Sequence, residues 1–157
     1  MTNGFGGSKD DQAAMAESFA AHDYVALSYS GLGFGGSTCP ISMDDPDVDG
    51  RAASDLVSYL GGADDIAFTD AGHTHAAAPL DAVTLDPTAL DGKEHAHDPR
   101  VGMLGGSYAG AVQLAAAAVD PRIDALVPMI TWNDLSYALF PNSTAQTSGV
   151  TTSTPGP

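Results

Sequence analysis

Residues 102–111, Gly-Met-Leu-Gly-Gly-Ser-Tyr-Ala-Gly-Ala, constrain the fold of this chain more than any other stretch. An apolar, strand-like run ends in two glycines and passes straight into an Ala-rich helical pattern, with one hydroxyl, Ser107, at the corner. Strand and helix approach that closely only where the flanking positions are small, and Gly105, Ala109 and Gly110 supply the space. A serine in such a turn is expected in a strained backbone conformation, with its side chain at the C-terminal end of the strand. The same spacing also suits a Gly-rich turn in which the serine only caps the helix.

The surrounding patterns extend the alternation of strand and helix. Residues 11–21 read as a helix behind Asp10 and Asp11, with Met15 and Phe19 four apart. Tyr24-Val-Ala-Leu-Ser-Tyr-Ser30 reads as a buried strand. From Gly50 to Leu60 the positions Ala52, Ala53, Leu56, Val57 and Leu60 form one apolar face that stops at Gly61-Gly62, a second helix. After a weakly patterned, His-rich stretch over 63–99, Arg100-Val-Gly-Met-Leu104 gives a strand and residues 109–119 a helix. Residues 123–131 give a further strand, interrupted by Pro128. This order predicts an α/β fold, a parallel sheet with flanking helices.

Charge narrows the partners. Twenty acidic residues, all Asp except Glu17 and Glu94, stand against five Lys and Arg, for a formal net charge of −15. Phosphate binding needs basic patches, so nucleic acid is excluded as an expected partner. The acids are dispersed, as on a solvated acidic surface, and they would also suit a salt-rich environment that screens their repulsion. Nothing approaches 18 consecutive apolar residues, so no membrane span is expected, and the N-terminus shows no signal peptide. The default address is cytoplasmic. A single cysteine, Cys39, cannot form a disulfide within the chain.

Three segments together carry a family resemblance. Gly105-Gly106-Ser107-Tyr108-Ala109-Gly110 is similar to the nucleophile turn of α/β-hydrolases, with Ala109 where glycine is usual. Asn3-Gly4-Phe5-Gly6-Gly7 resembles the loop after their third strand, with Asn3 in place of histidine. Tyr29-Ser30-Gly31-Leu32-Gly33-Phe34-Gly35-Gly36-Ser37 resembles the turn after the fourth, with Leu32 where arginine is usual. With residues 119–139 added, the chain resembles the X-prolyl dipeptidyl peptidase and cocaine-esterase group of that superfamily.

The resemblance implies a partial α/β-hydrolase fold and a serine hydrolase acting on an ester or peptide bond, with no cofactor. It implies Ser107 as nucleophile and the backbone N–H groups of Tyr108 and Phe5 as oxyanion donors. In that fold the triad runs Ser, then acid, then His, yet His22, His73, His75, His95 and His97 all precede Ser107. Asp134, the only acid after Asp124, is the weak candidate for the triad acid. Residues 1–142 are therefore expected to be an incomplete catalytic domain, weak or inactive alone, with 143–157 a polar tail or loop. The third strand is expected to be missing between 24–30 and 100–104, and the missing C-terminal half of the domain becomes a possible partner. A catalytically silent α/β binding or assembly module is the alternative.

Two other chemistries meet weaker patterns. Gly31-x-Gly33-x-x-Gly36 matches a dinucleotide-binding spacing, but a Pro-containing loop follows where a helix would have to bind pyrophosphate. His73-x-His75 and His95-x-His97-Asp98 could offer metal ligands, yet each reads equally as a polar loop, and no metal site is expected. Trp132, Tyr137 and Phe140 suit either an acyl pocket or ordinary packing.

Overall fold

The computed structural model describes residues 1–139. Phe140, the tail 143–157 and the expected domain boundary before it lie outside the described residues. Helix α1 spans Ala13–Ala20, entered through a single 3-10 turn over Lys9–Gln12 that Ser8 caps by accepting the Asp10 N–H. Helix α2 spans Arg51–Leu60 and continues from a π-type turn over Pro46–Gly50. Strand β1 (Val101–Gly106), helix α3 (Tyr108–Val119) and strand β2 (Ile123–Met129) follow, and a short α4 (Leu135–Leu139) closes the described chain.

Strands β1 and β2 pair in parallel with Gly102 opposite Ala125 and Gly106 opposite Met129, so α3 is the crossover of a βαβ unit. That is the small parallel sheet with flanking helices expected of a partial α/β fold. The core lies where α2 and α3 meet the sheet: Ala53, Val57, Met103, Ala116 and Ile123 are buried together. Small residues set the spacing. A Cβ on Gly50 would come within 2.7 Å of the Ala115 carbonyl oxygen, so the turn before α2 lies directly on α3.

Buried polar groups fix the layers. Gln113, fully buried in α3, donates through Nε2 to the carbonyls of Ala109 (2.8 Å) and Gly105 (3.2 Å) and accepts the Val127 N–H at 3.0 Å. One amide thus joins helix and both strands.

Two expectations need correction. Residues 24–30 do not form a regular strand. Among the described residues their sheet-like bonds run only to the first residues of the chain, with Tyr29 N–H on the Met1 carbonyl (3.1 Å), the Met1 amine on Leu27 O (2.8 Å), and a single parallel bridge from Thr2 to Tyr29. β-branched and aromatic side chains favour extended backbone, but a ladder needs a partner along its length. Pro128 does not interrupt the last strand, which runs through it opposite Gly105. Among the described residues β2 pairs only with β1, and a missing N–H is tolerated on its other edge.

Candidate functional site

The β1-to-α3 corner holds Ser107 at φ 59° and ψ −122°, a region non-glycine residues rarely occupy. Two forces hold it there. The Ser107 N–H closes the sheet on the Met129 carbonyl at 2.9 Å, while its own carbonyl accepts the N–H groups of Gly110 (2.9 Å) and Ala111 (3.1 Å) to start α3. The side chain makes no capping hydrogen bond with the helix. That separates it from an ordinary N-cap serine, whose hydroxyl is consumed by the first turn.

Gly105 and Gly110 leave the room this geometry needs. A Cβ on Gly105 would meet the Ala109 Cβ at 2.5 Å, and one on Gly110 would meet the Thr131 Cβ at 2.7 Å.

The loop with Asn3 and Phe5 lies against the corner. A Cβ on Gly4 would sit 3.9 Å from the Ser107 Cβ and 3.7 Å from the Gly106 carbonyl oxygen. Asn3 is fully buried and joins the two glycine loops: its Oδ1 accepts the Gly31 N–H at 2.9 Å, and its Nδ2 donates to the Gly4 carbonyl at 2.8 Å. The Phe5 ring packs edge-on to Phe34 (5.3 Å between centroids), and Phe34 packs edge-on to Tyr108 (5.0 Å). Thus Phe5 and Tyr108 both belong to the wall around the corner.

Tyr108 is anchored more firmly than its sequence neighbours suggest. Its ring is buried and its hydroxyl donates to Asp49 Oδ2 at 2.9 Å, across 59 residues of sequence. Burial pushes the phenol up to about 12, helped by the acidic neighbours Asp49 and Asp44. Neither acid stood out in the sequence. Asp44 and Asp49 fall in an acid-rich loop that reads as solvated surface, and only the fold brings them under Tyr108.

The remaining candidates lie in other roles. Asp134 is exposed at the start of α4, accepting the Ser136 hydroxyl (2.7 Å) and the Tyr137 N–H (2.9 Å), which hold its carboxyl below the usual range. His75 meets Asp70 at 3.3 Å, His95 meets Asp91 at 3.1 Å, and the His97 ring contacts the Gly61 carbonyl at 3.2 Å. Among the described residues no three His, Cys, Asp or Glu side chains come together as a metal would require. Gly33 and Gly35 take positive φ in a loop that continues through residue 45, so no helix follows the Gly31–Gly36 spacing. Tyr137 is exposed.

Two clefts flank this region. One, of about 480 Å³, is lined by Tyr29, Asp49, Leu56 and Tyr108. The other, of about 600 Å³, separates residues 24–29 from β1, with Val25, Leu27, Met103 and Val127 on its walls. Among the described residues no helix is long and apolar enough to cross a membrane.

No curated protein and no solved structure matched the chain. The profile of one family, described as X-Pro dipeptidyl-peptidase (S15 family), matches residues 3–154, a span that takes in the Asn3 loop, the Phe34 turn and the Ser107 corner. This chain belongs to the X-Pro dipeptidyl-peptidase family, an α/β-hydrolase-type group.

Proposed function

We propose that residues 1–142 carry the nucleophile and oxyanion portion of a serine peptidase site. The family suggests a serine peptidase or hydrolase and implies peptide substrates. In the proposed reaction the Ser107 oxygen attacks the scissile carbonyl as its proton passes to a base. The N–H groups of Tyr108 and Phe5 hold the resulting oxyanion. Collapse breaks the C–N bond, the leaving amine takes the proton, and water then hydrolyses the acyl-enzyme. The observation that carries this reading is Ser107 itself, strained at φ 59° with a hydroxyl the helix does not use as a cap.

The base is proposed to be none of the chain's five histidines. All precede Ser107, and the rings of His75, His95 and His97 are engaged with Asp70, Asp91 and the Gly61 carbonyl. A serine without its base retains at most the roughly 10³ to 10⁴-fold catalysis that binding and an oxyanion hole provide. Turnover of p-nitrophenyl acetate by the whole chain is expected near background, with little change in Ser107→Ala, at low and at molar salt. A fluorophosphonate is expected to label Ser107 slowly, and faster when imidazole is added as an external base. A serine-dependent rate of about 1 to 10³ per second would show a base within the chain. No label at Ser107 with or without imidazole would refute the nucleophile.

A second reading, a catalytically silent assembly module, is favoured by the cleft between residues 24–29 and β1. Residues 24–29 and β1 lie on its walls, and among the described residues β1 pairs only with β2, so the cleft suits an added strand. Cooperative two-state unfolding with no labelling of Ser107 would select this reading.

A further inference from the structure

Residues 38–45 cross beneath Tyr108 in a conformation that their own sequence does not favour. Cys39, Met43 and Asp44 all take positive φ, at 77°, 58° and 65°, although none is glycine. Such backbone persists only where its surroundings impose it. Little apolar burial holds this strap, since Ile41 and Met43 are exposed. Its anchor is one buried carboxylate. Asp49 Oδ2 accepts the Asp44 N–H (2.9 Å), the Tyr108 hydroxyl (2.9 Å) and the Ser42 hydroxyl, while the Asp44 N–H also reaches the Tyr108 oxygen at 3.2 Å.

The Asp44 carboxyl is treated quite differently. Both of its oxygens are buried without a hydrogen-bond partner. The titratable groups facing it are Asp49 from the turn before α2, Tyr108 from α3 and Tyr29 from the 24–30 segment. Lys9, on the wall of the adjoining cleft, is paired with Asp10. Among the described residues no salt bridge reaches Asp44 or Asp49.

We propose that the 38–45 strap is a pH-dependent latch on the Ser107 corner: closed while Asp44 carries a proton, and released when Asp44 ionises beside Asp49. Asp49 is the positioning residue, since it holds both the strap and the Tyr108 hydroxyl. Its bearing on catalysis rests on the reading of Ser107 and Tyr108 given above.

The direction of the effect follows from the two environments. Burial, then the charge of Asp49, raises the Asp44 carboxyl to about 7. Asp49 Oδ2 accepts three hydrogen bonds, whereas neither Asp44 oxygen has a partner, so the cost of a buried charge falls on Asp44. Because the closed form holds a proton that the open strap releases, closure is favoured on the acid side. It weakens as pH rises from about 4 to 7, and above that window the weakening is complete.

Hydrogen exchange of the whole chain between pH 5 and 9, with intrinsic exchange rates divided out, tests the latch without reference to catalysis. Protection of residues 38–46 is expected to fall at least tenfold between pH 5 and about 7 and to level off above it, while the centre of α3 stays constant. In Asp44→Asn the fall should vanish, and in Asp49→Asn protection should be low throughout. Flat protection in the wild type, or the same fall in Asp44→Asn, would overturn the proposal. Carboxyl carbon NMR titration of the wild-type chain needs no variant: one Asp titrating near pH 7 in step with the strap amides supports the latch. No carboxyl titrating above pH 5 refutes it. Fluorophosphonate labelling against pH is read separately, so a working latch without labelling would sink the serine reading and leave the latch standing.

Discussion

Arg122→Ala should lower the stability of the chain by about 3 to 5 kcal/mol, the usual cost of leaving one member of a buried ion pair alone. The Arg122 and Asp120 side chains retain only 11% and 2% of their exposure. The guanidinium grips the carboxylate side-on through one edge, Nε to Oδ1 at 2.9 Å and Nη2 to Oδ2 at 2.7 Å. Its remaining donors reach the His97 carbonyl (2.9 Å) and the Ser58 hydroxyl (2.9 Å), so one side chain ties α2 and the 96–97 loop to the approach to β2. Burial alone would raise the Asp120 carboxyl, but the bonds from Arg122 and Ser54 outweigh it and hold it below the usual range. The pair therefore stabilises the fold above the ordinary Asp range, and that contribution fades as pH falls through the depressed value. Urea unfolding at pH 7 measures the effect. Arg122→Lys should fall in between, since an ammonium keeps the charge but not the planar fork. A loss under about 1 kcal/mol in Arg122→Ala would mean the pair behaves like a surface contact.

Gly105→Val should damage both the fold and the corner. Even a bare Cβ at this position would lie 2.5 Å from the Ala109 Cβ and 3.1 Å from the Ala109 carbonyl oxygen. Part of that conflict is with backbone, so α3 must move off β1, at about 1 to 3 kcal/mol for overpacking of this kind. The shift acts on the turn that holds Ser107 at φ 59°. Labelling of Ser107 in the imidazole-assisted assay is then expected to drop at least tenfold, under conditions where the variant is still folded. Gly36→Ala is the comparison, because a Cβ there meets nothing within 4 Å. Its stability should stay within about 0.5 kcal/mol of the parent. If Gly105→Val were equally silent in both measurements, the close approach of helix and strand would not be what shapes the corner.

Features governed by neighbours along the chain were legible before any fold was known. Apolar periodicity marked α2, and the run from Val101 to Met129 spelled out β1, α3 and β2, because a βαβ unit makes its main contacts within about thirty residues. The strained Ser107 corner was legible for the same reason: small residues at 105, 109 and 110 are a local requirement of one tight turn. Even Pro128, which reads as a break, fails to disturb a strand that, among the described residues, has a partner on one edge only.

Features that depend on partners far away in sequence emerge from the fold. Tyr24–Ser30 has the composition of a strand, yet a strand is completed by the backbone beside it, and among the described residues only Met1 and Thr2 bond to it as a sheet neighbour would. Gln113 is buried because the carbonyl of Gly105 and the N–H of Val127, eight and fourteen residues away, both bond to its amide. Asp44 and Asp49 were two acids among twenty. Their chemistry comes from burial beneath a tyrosine some sixty residues away, where the loss of water raises one carboxyl and three donors hold the other. Charge in a sequence is only a count. What that charge does is set by the solvent and donors the fold leaves around it.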